Sequence, residues 1–171
     1  HLVANAEFAS FHDSLSASDQ QWLKRQSFTG KSGQVAWLEN GDGVVGAPAE
    51  DSLATLGGLP YTLPEGIYRL RATTSFIALL GWGLGSYSFD RYKAAERGPA
   101  QLILPDGADA AELVNTVAAT YLTRDLINTP AQDMAPSHLQ AEVEALGAAF
   151  NADVSTVMGD ELLDLECGAI H

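Results

Sequence analysis

The chain is poor in basic residues and almost free of cysteine, and each shortage excludes a class of protein. Nine Lys and Arg stand against 22 Asp and Glu, which gives a formal net charge of -13. Nucleic acids and anionic membranes are bound mainly through Lys and Arg, so we expect neither as a partner. The single cysteine, Cys167, excludes an intrachain disulfide framework and favours the reducing cytoplasm as the location.

Long apolar runs are also missing. No apolar segment reaches the ~20 residues that span a bilayer, and residues 1–10 lack the basic start and apolar run of a signal peptide. What remains is typical of a globular protein, with 171 residues of which 46% are hydrophobic and 8% aromatic. Such a chain can bury one moderate core, or one small domain and part of another.

Two glycine-containing segments resemble nucleotide-binding motifs but have the wrong spacing. Residues 30–32, Gly-Lys-Ser, end like a P-loop, yet the upstream glycine is replaced by Arg25 and the segment leads into a predicted strand. In the series Gly81, Gly83 and Gly85 the third glycine comes one residue too early for a dinucleotide fingerprint. We interpret the second series as helix packing or a turn.

Metal and nucleophile chemistry have little support in this sequence. Soft side chains that could bind a metal include His12, His138, Cys167 and His171, of which only the last two are close in sequence. Two such ligands do not make a zinc site, so we predict no metal, cofactor or catalytic residue here. No serine lies in a nucleophile elbow. The acidic residues 160–166 are interpreted as a solvated helical face.

Apolar periodicity and turn residues predict an α/β pattern over residues 1–107. Ser18 is placed to cap a short helix that carries Trp22 and Leu23. The turn signal at residues 40–43 separates two apolar runs and predicts a β-hairpin. The other predicted elements are a helix at 51–56 ended by Gly57 and Gly58, a half-buried strand at 67–71 and a buried strand at 101–104.

A long helix is predicted from Asp109, which has capping-box spacing to Glu112. It should end near Pro130, because proline disfavours helical geometry in the residue before it. Its expected apolar stripe consists of Leu113, Val114, Val117, Ala118, Tyr121 and Leu122.

A second helix is predicted to start around Pro136, where Ser137 and Gln140 again have capping-box spacing. We expect it to direct three apolar side chains inward, namely Leu139, Val143 and Leu146. A strand at residues 154–158 and a turn with a short helix at 159–165 should follow.

The segment between these two helices, residues 124–139 (RDLINTPAQDMAPSHL), is specific in order and spacing. We interpret it as a domain joint in which polar side chains satisfy the end of one helix and prolines stiffen the connection. Ion pairs of Arg124 and Asp125 could fix the joint. The residues assigned to it, all with a structural role, are Arg124, Asp125, Asn128, Thr129, Pro130 and Pro136.

Four segments in this order resemble the leucyl aminopeptidase (cytosol aminopeptidase) family. They are residues 28–34 (FTGKSGQ), 87–93 (YSFDRYK), 124–139 and 168–171 (GAIH). The resemblance implies a small mixed-sheet N-terminal α/β domain flanked by helices at residues 1–107, a long connecting helix at 108–128, and the first α/β elements of an incomplete catalytic domain at 129–171. It also implies a helix at 75–93.

The resemblance further implies an enzyme that releases N-terminal residues, preferably leucine, from peptides. Members use two divalent metal ions, manganese or zinc, and the intact subunits form homohexamers. The motifs that carry the family's ligands, V-G-K-G, D-T-G-G and N-T-D-A-E-G-R, do not occur here, and Lys24, Lys31 and Lys93 all precede the joint. We therefore expect this segment alone to be inactive. The alternative is a stand-alone, non-catalytic α/β module that binds a ligand or a partner.

Overall fold

A computed structural model describes residues 1–71 and 74–170. Helices and two small sheets give the α/β class that the sequence predicts. The chain forms two compact units that meet within one helix, between Leu122 and Thr123. No helix of the described part of the chain combines the length and the apolar character that crossing a membrane requires.

The first sheet is mixed and has three strands, β1 (Leu2–Ala4), β2 (Val35–Trp37) and β3 (Gly43–Ala47). Their order is β1-β3-β2, with β1 parallel and β2 antiparallel to β3. The predicted hairpin is confirmed: the Asp42 N–H donates to Asn40 Oδ1 at 2.9 Å, and Gly41 takes a positive φ of 86°. The strand β1 was not predicted, because three residues carry too little periodicity.

The first helices pack beside this sheet. A 3-10 turn (Asn5–Glu7) leads into α1 (Phe8–Ser14), which was not predicted, and α2 (Ala17–Arg25) follows. The predicted cap at Ser18 is wrong, since Ser16 Oγ accepts the Asp19 N–H at 3.1 Å. Ser18 instead donates to the Glu39 carboxylate.

The segment after β3 forms two short helices, α3 (Ala54–Gly57) and α4 (Leu59–Thr62). The predicted helix at 51–56 therefore begins three residues later, and Gly57 and Gly58 do not end the helical region. A second turn follows because Pro60 suits the start of a helix, where its missing N–H costs nothing.

The second sheet contains β4 (Ile67–Arg69) and β5 (Gln101–Ile103), paired in parallel. Tyr68 and Leu102 pack on the core, whereas Ile67 and Ile103 are 70% and 42% exposed. The strand predicted at 67–71 is thus confirmed in part, and the strand at 101–104 is buried on one face only.

The helix α5 (Phe76–Gly85) connects β4 to β5. Ser75 caps it, and the helix predicted at 75–93 ends eight residues early. A methyl group added to Gly81 would lie 2.1 Å from the Leu53 carbonyl oxygen, and one added to Gly85 would lie 1.9 Å from that of Gly57. These glycines let α3 and α5 touch backbone to backbone, so helix packing is their role.

Two hydrophobic clusters stabilise the first unit. The first, called core 1, has Leu56, Leu79, Trp82 and Leu113 among its members. The second, called core 2, consists of Val3, Leu23, Phe28, Ala36, Leu38 and Val44.

The helix α6 (Ala110–Asn128) begins and ends as predicted. The Glu112 N–H donates to Asp109 Oδ1 at 2.9 Å. The predicted apolar stripe of α6 is confirmed at Leu113, which is buried. The prediction is wrong at Val114, whose side chain is 59% exposed.

The second unit contains the end of α6, then α7 (Pro136–Phe150) and α8 (Glu161–Asp164). The short helix predicted at 159–165 is confirmed. Residues 154–158 form no ladder with any described residue, so the predicted strand is wrong in this chain. A strand needs a neighbour to bond its backbone groups.

Candidate functional site

The predicted joint begins within the last residues of α6, at Arg124. Thr129 is 6% exposed, and its N–H and Oγ1 both donate to the Asp125 carbonyl oxygen, at 2.9 and 2.6 Å. The N–H bond continues the pattern of the α-helix to Thr129, and the hydroxyl adds a second bond to the same carbonyl oxygen. Arg124 is half-buried, and Asp125 and Asn128 are exposed. The ion pairs suggested for Arg124 and Asp125 stay a prediction.

A tight turn connects the two helices of the joint. The Asp133 N–H donates to the Pro130 carbonyl at 2.9 Å, and exposed Pro136 opens α7 as its first residue. The predicted cap by Ser137 and Gln140 is wrong. The Ala135 N–H instead donates to His138 Nδ1 at 3.0 Å. The sequence suggested only metal binding for this histidine.

One face of α7 is apolar and open. Leu139, Val143 and Leu146, predicted to point inward, are 47%, 48% and 46% exposed. The helix ends at Asn151, whose left-handed φ of 53° reverses the chain, and a methyl group on Gly147 would meet Val154 Cγ2 at 2.3 Å. Leu139 and Val143 of this face, together with residues 154–158, line a groove of about 750 Å³.

A second cavity, the unit 1 cleft, lies between the two sheets of the first unit. It measures about 500 Å³. Its walls are formed by His1, Leu2, Trp37, Gly41, Asp42, Gly43, Val45, Leu63, Ile67, Tyr68, Arg69, Leu70, Arg71, Trp82 and Leu102. The sequence does not predict this cleft, because no local pattern places residues so distant in the chain side by side.

Charged groups at the rim of the unit 1 cleft already have partners. Arg71 Nη2 lies 2.9 Å from Asp42 Oδ2, and the same carboxylate accepts the Asn40 side-chain amide at 3.1 Å. The amino group of His1 donates to the Gly43 carbonyl at 2.7 Å. Burial lowers the pKa of this amino group below its usual 8.0, and Asp42 opposes the shift.

The P-loop-like segment has a structural role. Gln34 Oε1 accepts the N–H groups of Thr29 and Lys31 at 2.9 and 3.1 Å. A methyl group on Gly46 would lie 1.9 Å from the Lys31 carbonyl oxygen, so the loop packs directly on β3. A phosphate would have to displace these bonds.

The candidate metal ligands are not brought together. His12 contacts Asp13 and the Phe8 ring, and the Cys167 thiol donates to the Leu165 carbonyl. His171 lies outside the described residues. Within residues 1–71 and 74–170, no three His, Cys, Asp or Glu side chains lie close enough to hold a metal ion. These residues do not fit a metal centre.

Comparison with protein families gives a match over residues 1–105 to a model described as the N-terminal domain of M17 aminopeptidases. Two curated relatives are named probable cytosol aminopeptidases. The one from Aeropyrum pernix is 34% identical over 104 residues, which cover 59% of this chain and 21% of the relative. The one from Clostridium perfringens is 29% identical over 101 residues, which cover 50% and 20%. The match thus spans about a fifth of each relative.

Solved structures show similarity along almost the whole chain. The crystal structure of cytosol aminopeptidase from Coxiella burnetii superposes with a TM-score of 0.85 and 31% identity, covering 95% of this chain and 38% of that one. The bottromycin maturation enzyme BotP superposes with a TM-score of 0.69 at 22% identity, covering 89% and 38%. The second match supports the fold alone.

Proposed function

Because the chain belongs to the M17 aminopeptidase family through its N-terminal domain, we propose that it is the N-terminal portion of a cytoplasmic leucyl aminopeptidase. The whole enzyme would release N-terminal amino acids, preferably leucine, from peptides. The observation that carries the proposal is the similarity to a cytosol aminopeptidase over 95% of this chain, which extends beyond the matched domain into the second unit.

The open face of α7 supports the same proposal. Leu139, Val143 and Leu146 occupy successive turns on one side of the helix, and each is about half exposed. An amphipathic helix gains most of its stability by packing this side against a neighbour. Sequence beyond residue 171 would supply that neighbour as strands that pair with residues 154–158, in a sheet covered by α7.

The catalytic groups would also lie in that later sequence. We propose that it holds two divalent metal ions, manganese or zinc, since residues 1–71 and 74–170 bring no ligand cluster together. Bound there, such a pair would supply Lewis-acid chemistry for the hydrolysis of a peptide bond. The whole protein would act as a homohexamer on peptide substrates. The 171 residues would be a scaffold without activity.

Two preparations test the proposal. One is the 171-residue chain, and the other is the polypeptide encoded by the longer reading frame. With manganese present, we expect the longer protein to cleave a leucyl amide substrate and a chelator to abolish the reaction. The short chain should show no cleavage. Metal-dependent cleavage by the short chain, at a rate near that of the longer one, would contradict the proposal.

The coding sequence beyond residue 171 distinguishes the proposal from the alternative. A stand-alone binding module is favoured by the two clusters that the first unit buries by itself and by its cleft of about 500 Å³. A stop codon directly after residue 171 would support that module. The leucyl aminopeptidase proposal instead expects V-G-K-G, D-T-G-G and N-T-D-A-E-G-R segments downstream in the same frame.

A further inference from the structure

The turn of the first hairpin contains a reactive pair of residues, Asn40 followed by Gly41. A backbone nitrogen attacks the side-chain amide carbon of a preceding asparagine most readily when its own residue has no Cβ to obstruct the approach. Glycine is the residue that lacks this atom. The other asparagines of the chain precede alanine or threonine, namely Asn5, Asn115, Asn128 and Asn151. Asn40 is therefore the asparagine at which this attack is easiest.

The surroundings of the turn leave the pair open to solvent. Asn40 and Gly41 are both exposed. Gly41 has a φ of 86°, and no described atom outside its immediate chain neighbours lies within 4 Å of the place where a Cβ would be. Water and hydroxide can therefore reach both residues in the folded chain.

Hydrogen bonds within the turn hold both reacting groups in place. Asn40 Oδ1 accepts the Asp42 N–H at 2.9 Å, and Asn40 Nδ2 donates to Asp42 Oδ2 at 3.1 Å. The Gly41 N–H donates to the Leu38 carbonyl at 3.0 Å. The attack requires a Gly41 nitrogen without its proton and an Asn40 side chain that has turned away from Asp42. These three bonds must break before it can occur.

The bonds of the turn depend on the hairpin that surrounds it. The Leu38 N–H donates to the Asp42 carbonyl at 2.8 Å, directly beside the last pair of the β2–β3 ladder, Trp37 with Gly43. Exposed turns open more often than the core strands beneath them. Each opening of this hairpin end frees Asn40 and Gly41 together.

We propose that Asn40 is a deamidation site, which the closed hairpin protects and which reacts when the hairpin end opens. Hydroxide removes the Gly41 amide proton, and the nitrogen attacks Asn40 Cγ. The new N–C bond closes a succinimide ring, the Cγ–Nδ2 bond breaks, and ammonia leaves. Water then adds to either carbonyl of the ring and opens it, which gives aspartate or isoaspartate at position 40.

Neither product rebuilds the original turn. A carboxylate at position 40 has no N–H to donate to Asp42, and the two like charges lie side by side. Isoaspartate also adds a carbon atom to the main chain, inside the loop that the bond between Leu38 and Asp42 closes. The lost ammonia does not return, so the reaction permanently marks chains in which this hairpin has opened.

Peptide mapping by mass spectrometry tests the proposal on the 171-residue chain at mildly alkaline pH. One sample is folded and the other is unfolded in guanidinium chloride. We expect the mass change of deamidation at Asn40 to accumulate at least about tenfold more slowly in the folded sample. Asp42 also precedes a glycine and can isomerise through the same kind of ring. Its isomerisation leaves the mass unchanged and does not contribute to the signal.

Two aspartate substitutions separate the bonds of this turn from general stability. Asp42→Ala removes the carboxylate that accepts from Asn40 Nδ2. Deamidation in the folded sample should then be about fivefold faster, the effect of one lost hydrogen bond. Asp106→Ala is the matched control, because Asp106 also precedes a glycine with a positive φ, Gly107 at 82°. It should leave the rate at Asn40 unchanged.

The converted chain provides a second readout. After deamidation in the unfolded sample and refolding, the Leu38 amide should exchange about tenfold faster than in the original chain, because its bond to Asp42 is weakened. The Leu79 amide, which donates to the Ser75 carbonyl in α5, should keep its rate.

Three results would overturn the proposal. Asn40 could deamidate at the same rate in the folded and unfolded samples, which would show that the hairpin gives no protection. The Asp42→Ala and Asp106→Ala proteins could react alike. The refolded product could keep the Leu38 exchange rate of the original chain. None of these measurements involves peptide cleavage, so the proposed function is tested separately.

Discussion

The two units differ in where their apolar side chains lie. In residues 1–122, Leu23, Leu56 and Val44 are fully buried in two clusters. In residues 123–170 the structure buries only Thr129 and Gly147. The apolar residues of α7 and of the segments after it are largely exposed. The first unit therefore has cores of its own, and the second has apolar faces without a core.

This contrast shows which part of the chain can be stable by itself. Burial of apolar surface supplies most of the free energy that opposes the loss of chain entropy. The first unit satisfies this requirement with its own residues. In the second unit the helices are locally well specified, by Pro136 at one end of α7 and Asn151 at the other, but local signals alone hold short helices only weakly in water.

The largest expected effect comes from the contact of α3 with α5 in the first unit. Gly81→Ala places a methyl group where the Leu53 carbonyl oxygen lies 2.1 Å away. We expect the free energy of unfolding to fall by about 3 kcal/mol or more. The atoms in the way belong to the backbone of Leu53, which cannot turn aside as a flexible side chain can. Helix propensity alone predicts the opposite sign, a gain of about 1 kcal/mol. Urea denaturation of the 171-residue chain measures the difference.

Gly98→Ala is the matched control for this substitution. Nothing lies within 4 Å of an added methyl group at Gly98. We expect its effect to stay within about 0.5 kcal/mol, as for most surface changes. A stable Gly81→Ala protein would mean that α3 moves freely away from α5, and the first unit would then be less tightly packed than the comparison requires.

A pair of leucine substitutions compares the units directly. Leu56→Ala, at a fully buried side chain, should lower the free energy of unfolding by about 2–5 kcal/mol. Leu146→Ala, at a side chain that is 46% exposed, should cost less than about 1 kcal/mol in the 171-residue chain. Thermal or urea unfolding provides both values.

The same Leu146→Ala substitution sharpens the comparison in the longer polypeptide. If later sequence covers α7, the cost there should rise toward that of Leu56→Ala. An equally small cost in both proteins would show that the face stays open, and the proposed sheet beneath α7 would lose its support.

The sequence predicted elements whose signals are local. The hairpin follows from the turn at residues 40–43, and α6 follows from the cap at Asp109 and the stop at Pro130. The failures depend on distant partners. Residues 154–158 have the composition of a strand but no described neighbour with which to pair, and Leu139 has the periodicity of a core residue but no core.

The candidate sites also divide into those with local sequence signals and those that depend on residues distant in the chain. The joint stays a prediction that rests on local signals, because proline and threonine act on their own neighbours, as Thr129 does on Asp125. The unit 1 cleft was missed because it brings Asp42 together with Arg71, 29 residues away. The resemblance placed a helix after Ser75 correctly, but it could not show that the helix ends at Gly85.

The smallest expected effect lies at the joint. Thr129→Val keeps the shape of the side chain but removes the hydroxyl that donates to the Asp125 carbonyl at 2.6 Å. A single hydrogen bond contributes about 1 kcal/mol, so amides of residues 126–129 should exchange roughly fivefold faster. Thr129→Ser keeps the hydroxyl and should stay near the original rate, while amides of α5 in the first unit should be unaffected by either change. If the amides of residues 126–129 exchange at the same rate in the valine and serine variants, the buried hydroxyl does not hold the end of α6. The joint would then depend on its prolines instead.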